Sequence, residues 1–97
     1  MRAFIDAGEL RLVSGNLTLR TLIPRSYART LAQGLRKARR QPGERRWLWP
    51  GGGSLTTWST KHDPWPLLVL HDRYELEPTV DELDQFIQTL DQYGRTR

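Results

Sequence analysis

The chain has 97 residues, of which 37% are hydrophobic and 27% charged, with a formal net charge of +4 and no cysteine. That length fits one domain, residues 1–97, built round one small core. Without cysteine it holds neither a disulfide nor a thiolate zinc site, which excludes the zinc-finger routes to nucleic acid and fits a reducing cytoplasm.

The modest net charge hides an asymmetry. Residues 1–46 carry eleven basic and three acidic side chains, net +8, whereas residues 47–97 carry four and eight, net −4. A chain polarised in this way is expected to present a basic face and an acidic one. Lys37 and Lys61 are the only lysines among the 15 basic residues; the rest are arginines, whose fork matches phosphate and carboxylate oxygens. Asp6 and Glu9 interrupt the apolar start, so no signal-peptide pattern forms. Leu67 to Leu70 is the longest aliphatic run, far short of the roughly 20 residues that span a bilayer. No membrane partner is expected.

In chain order, Arg2 to Ala7 reads as a first strand, and Ala7-Gly8-Glu9 as a tight connection. Leu10-Arg11-Leu12-Val13 and Leu17 to Ile23 alternate at period two, separated by Ser14-Gly15-Asn16. The alternation predicts an antiparallel meander with Leu10, Leu12, Leu17 and Leu19 covered and Arg11 and Arg20 together on the open face. Pro24 ends the strand, and Ser26 is the expected N-cap of a helix running to Arg40. Gly34 in that helix signals either a close approach to the sheet or an early end. Arg45 to Pro50 and Leu55 to Thr60 read as a hairpin closed over Gly51-Gly52-Gly53, and Leu67 to Leu70 as a strand inside the sheet whose continuation runs through Tyr74 and Leu76. Thr79 and Glu82 form a capping box for a last helix that buries Val80, Leu83, Phe86, Ile87, Leu90 and Tyr93, with Gly94 at its C′ position. The predicted fold is α+β: a mostly antiparallel sheet of about five to six short strands with two helices on one face, in the order ββ(β)-α-βββ-α.

At 100° per residue, Arg25, Arg29, Gln33, Arg36 and Arg40 fall in one stripe of the first helix, opposite Tyr27, Ala28, Leu31, Leu35 and Ala38. Between Arg25 and Arg40 there is no Asp or Glu. Arginines late in a helix also suit its negative end, so a purely solvated face would explain part of the cluster. The missing acidic i+4 partner favours a binding role for Arg25, Arg29, Arg36, Lys37, Arg39 and Arg40, continued by Arg45 and Arg46.

Trp47, Trp49, Trp58 and Trp65 lie close to that basic run. Indoles fill cores, and Trp47 and Trp49 share one strand face by period two; Trp58 and Trp65 are the expected stacking positions for bases. The triple glycine leads into a strand pattern, so it reads as a hairpin tip and not a phosphate loop. His62-Asp63 and His71-Asp72 lack the further ligands or nucleophile that would make a metal or catalytic site, and no cofactor motif is present.

The leading expectation is therefore a non-enzymatic cytoplasmic domain that binds nucleic acid, with a single strand or RNA favoured over duplex because no readout helix is evident. A protein-interaction module or small inhibitor, docking its basic face on an acidic protein or on a nucleic-acid-binding machine, is the alternative. A small metal-independent ribonuclease is the third. Self-association as a homodimer, with a basic helix attracting the acidic helix of a second copy, is compatible with all three.

Overall fold

The computed structural model describes residues 1–62 and 67–95. The chain runs β1 (Arg2–Asp6), β2 (Glu9–Ser14), β3 (Leu17–Leu22), α1 (Arg25–Ala38), β4 (Gly43–Trp49), β5 (Gly53–Ser59), β6 (Leu67–Leu70), β7 (Tyr74–Leu76) and α2 (Val80–Arg95). The α+β class and antiparallel pairing are as read from the sequence. The strands divide into two sheets, β1-β2-β3 and β4-β5-β6-β7.

The first sheet is a meander closed by two-residue turns. Asp6 pairs with Glu9, leaving Ala7 and Gly8 as the turn, both at positive φ (51° and 78°). Positive φ at both central positions matches the right-handed twist of the flanking strands. Arg11 and Arg20 share a sheet face, as the alternation predicts, and the register sets them directly opposite each other, with Leu12 opposite Leu19 on the covered side. Leu17 departs from expectation: at the first position of β3 it lies beyond the helices' cover and is 42% exposed.

In the second sheet, β6 lies inside, between β5 and β7. Tyr74 and Leu76 do not continue β6; the chain turns at His71 and Asp72, both at positive φ, and returns with Tyr74 paired to Leu70. Aspartate and histidine tolerate that region better than most side chains.

One core joins the two sheets and both helices. It takes Leu10, Leu12, Leu19 and Ile23 from the first sheet and its end, and Leu55, Leu68, Leu70 and Leu76 from the second. Ala28, Leu31, Ala32 and Leu35 of α1 and Leu83, Phe86, Ile87 and Leu90 of α2 complete it. Trp49 ties the sheets together, its Nε1 donating to the Leu22 carbonyl at 3.0 Å across the gap between β3 and β4.

Helix ends differ from the sequence reading in two places. Ser26 does not cap α1; Pro24 occupies the N-cap in extended conformation, with no side-chain cap. Gly94 lies within α2 instead of ending it, and the absence of a side chain there admits Arg29 of α1, whose Cδ would lie 3.1 Å from a Cβ at residue 94. The α2 capping box forms as expected, Glu82 N donating to Thr79 Oγ1 at 3.2 Å and Thr79 N to Glu82 Oε1 at 2.8 Å. Val80, one residue into the helix, is exposed and not part of the buried stripe.

Candidate binding groove between the first helix and the second sheet

Alanine and leucine at Ala28, Leu31, Ala32 and Leu35 sink one side of α1 into the core and hold its basic side at the surface. That surface is divided between two neighbours. Helix α2 lies antiparallel along one flank, and β4 lies along the other.

The α2 flank takes up most of the arginine stripe. Arg25 donates from Nη1 to the Tyr93 carbonyl at 3.3 Å and sits 4.7 Å from the Tyr93 ring centroid. Arg29 lays its aliphatic stem on Gly94. Arg36 pairs with Asp91 at 3.4 Å, which also receives Arg95 at 3.2 Å, and Arg39 pairs with Asp84. The acidic partner missing within the first helix is supplied by the last one. Each such pair is partly exposed and is worth about 0.2–1 kcal/mol. Their electrostatic consequence is that Arg36 and Arg39 each stand beside a carboxylate of α2, with Asp91 shared between Arg36 and Arg95.

The β4 flank is different. Thr30, Gln33, Gly34 and Lys37 of α1 face Arg45, Arg46 and Trp47 across a groove of about 420 Å³, within the usual range for ligand sites. Two cations, Lys37 and Arg45, face it with Arg46 at its rim, and among the described residues no Asp or Glu lines it. Lys37 has no ion pair among the described residues. Arg45 donates to the neutral Gln41 Oε1 at 2.7 Å, and Arg46 reaches out of the groove to Asp72 at 2.7 Å.

Gly34 and Trp47 make the groove's floor. The indole lies so close to the helix that a Cβ at residue 34 would sit 2.7 Å from Trp47 Cε2, so only glycine lets β4 approach α1. Of the two explanations for Gly34, close approach is the one realised. Trp49, two residues on, is buried, and its ring lies 5.7 Å from that of Tyr27. Burial raises the Tyr27 hydroxyl pKa, and the Leu48 backbone opposes that shift.

The remaining sequence-derived positions lie elsewhere. Arg40 is exposed just beyond α1, in the turn closed by its N–H to the Lys37 carbonyl. Trp58 is exposed on the outer face of the second sheet, between Glu44 and Leu67, whereas Trp47 and Arg45 point to the inner face. Trp58 and the groove therefore do not form one surface. Trp65 and Asp63 lie outside the described residues. His71 is in the β6–β7 turn, its N–H bonded to the Ser54 carbonyl at 2.9 Å, and does not line the groove. Among the described residues no cluster of three metal-ligating side chains occurs, and no helix is long and apolar enough to cross a membrane.

Thr30, Gln33 and Trp47 were not singled out as binding residues from the sequence. The signal for Trp47 was present in two parts, a glycine inside a helix and a tryptophan at period two on the next strand. Joining them requires the fold. No family model, curated protein or solved structure matches the chain.

Proposed function

We propose that the protein is a non-enzymatic cytoplasmic domain that binds single-stranded nucleic acid or RNA in the groove between α1 and β4. The observation that carries this reading is the placement of Lys37 and Arg45 beside the Trp47 indole, with Arg46 at the rim and no lining carboxylate among the described residues. Cations at that spacing neutralise phosphates, and an aromatic wall gives a base a surface to lie against. The absence of a histidine from the same lining favours binding over cleavage. Arg40, exposed just past the helix end, extends the positive track, while the α2-paired arginines act as structural residues.

A second reading, docking on an acidic protein segment, is favoured by the shortness of that track where Arg36 and Arg39 are drawn to the α2 aspartates. Titration with single-stranded DNA, RNA and duplex oligonucleotides, followed by indole fluorescence at two salt concentrations, separates the two. Saturable quenching that weakens with salt supports nucleic-acid binding. Unchanged fluorescence and unchanged gel mobility of all three probes would move the function to an acidic protein partner.

A further inference from the structure

The α1–β4 groove has two unlike ends. Helix α1 ends at Ala38 and β4 begins at Gly43, so residues 39–42 reverse the chain and close one end. Lys37 lies one residue before the helix ends and Arg45 two residues after the strand begins, which puts both of these lining cations at the closed end. Arg45 is held there by its bond to Gln41 Oε1 at 2.7 Å. Trp47 follows two residues farther along β4, about 7 Å away. Gln33 and Thr30 lie on α1 about 6 and about 10 Å back along the helix axis from Lys37. The groove therefore passes from cationic to neutral with increasing distance from the chain reversal.

We infer that the groove takes a phosphorylated strand end: a terminal nucleotide whose phosphomonoester sits between Lys37 and Arg45 and whose base lies against Trp47. The inference rests on the nucleic-acid reading of the groove and narrows it to a terminus. Charge favours the terminal group over an internal one. A phosphomonoester carries about −1.5 to −2 at pH 7, whereas each phosphodiester carries one charge. Lys37 and Arg45, which have no carboxylate partner among the described residues, match a dianion. The negative end of α1 would oppose an anion here, but its Lys37 carbonyl is occupied, accepting from the N–H groups of Arg40 and Gln41 at 3.0 Å each.

Shape points the same way. A strand running through the groove would have to leave over residues 39–42, whereas a terminus needs only one exit, past Thr30. Along the neutral part, Thr30 supplies a hydroxyl and Gln33 an amide, both able to donate and to accept hydrogen bonds at a base edge. Neither is charged, so this part offers no second phosphate site. Arg46 turns away to Asp72 and adds no third cation to the closed end.

Fluorescence anisotropy on the full chain at low salt tests the inference with one internally labelled single strand in four forms: 5′-phosphorylated, 3′-phosphorylated, hydroxyl-ended and circular. A phosphate at one of the two ends is expected to raise affinity about tenfold or more over the hydroxyl-ended and circular forms. The gain should shrink between about pH 7.5 and about pH 5.5, because the monoester takes up a proton near pH 6. Lys37→Gln and Arg45→Gln should each remove most of the gain, whereas Arg36→Gln, outside the groove, should keep it, with far-UV circular dichroism confirming that each variant is folded. Competition by the mononucleotide bearing the same phosphate identifies the source. Competition about tenfold weaker than by the phosphorylated strand supports a strand end; equal competition makes the ligand a free nucleotide and overturns the strand-end assignment. A gain that survives both Lys37→Gln and Arg45→Gln places the phosphate elsewhere and overturns it as well. Equal binding of all four forms overturns the inference while leaving the groove a nucleic-acid site, and binding of none of them removes both readings.

Discussion

Trp47 lies flat enough against Gly34 that a methyl group at residue 34 would sit 2.7 Å from its Nε1 and Cε2 atoms. This single contact sets the spacing of α1 and β4, and with it the width of the groove. Glycine costs a helix interior about 1 kcal/mol relative to alanine, so Gly34→Ala would stabilise an isolated helix. In the folded protein the indole is the interior of a rigid ring and cannot yield locally, so β4 must move. The expected net result is a loss of about 1–3 kcal/mol in denaturant unfolding, as for other overpacked sites. Trp47→Leu in the same background should recover part of that loss, and a stability gain from Gly34→Ala alone would refute the contact.

How much of this was legible beforehand follows from the range of each interaction. The hairpin of β4 and β5, the interior position of β6, the capping box and the opposition of Arg11 and Arg20 depend on period and on residues a few positions apart. All of them were readable. The pairing of Arg36 with Asp91 and Arg39 with Asp84 joins residues 55 and 45 positions apart, and no local rule reaches that far. The i+4 test correctly found no acid within α1, but the acids stand on α2. The division into two sheets has a similar origin. After α1, β4 returns beside β3 but offers it the Trp49 indole N–H instead of a backbone ladder. The groove was legible only in fragments, because Trp47 belongs to a strand and Lys37 to a helix whose approach is set by a missing side chain.

Gln85 of α2 covers the free edge of the first sheet at β1. Its Oε1 accepts from the Ala3 N–H at 2.9 Å and its Nε2 donates to the Ala3 carbonyl, so one side-chain amide closes both groups of an edge-strand residue. Ala3 is buried, and loss of the amide leaves its N–H without that partner and its carbonyl with only the longer contact from Thr89 Oγ1 at 3.4 Å. Gln85→Leu should cost about 1–3 kcal/mol and sharply increase hydrogen exchange at the Ala3 amide. Because an unpaired edge can template intermolecular strand pairing, the variant should also aggregate faster on incubation. Unchanged exchange at Ala3 would mean that the bond does not persist in solution.

Tyr27 contributes to the pH dependence of stability in alkali. Its pKa is raised, first by burial, against the opposing effect of the Leu48 backbone. The folded state thus holds the phenolic proton to higher pH than the unfolded chain, whose tyrosines ionise near about 10. Between those two values the native state binds more protons, so stability falls as pH rises. The contribution is complete below the unfolded pKa and is lost as pH passes through the folded one. Ultraviolet titration of tyrosinate should show a late step from Tyr27. Tyr27→Phe should remove that late step and flatten the fall in stability above about pH 10. A late step that survives in Tyr27→Phe would assign it to another residue.

Charge position, not charge count, should decide how the arginines act in binding. Arg36 and Arg39 spend their charge on Asp91 and Asp84, whereas Lys37 and Arg45 face the groove with no carboxylate partner among the described residues. Each phosphate neutralised on a single strand adds about −0.7 to the slope of log affinity against log salt. Lys37→Gln and Arg45→Gln should each lower affinity for a single-stranded oligonucleotide and reduce that slope by roughly one phosphate's share. Arg36→Gln and Arg39→Gln should leave the slope unchanged. Their effect should instead be on folding, with a loss of about 0.2–1 kcal/mol that disappears at high salt, where the ion pairs are screened. If all four substitutions reduce the slope equally, the ligand lies along the whole helix and displaces the α2 aspartates. If only Lys37→Gln and Arg45→Gln do, it occupies the groove beside Trp47, and α2 serves to restrict the basic surface to that groove.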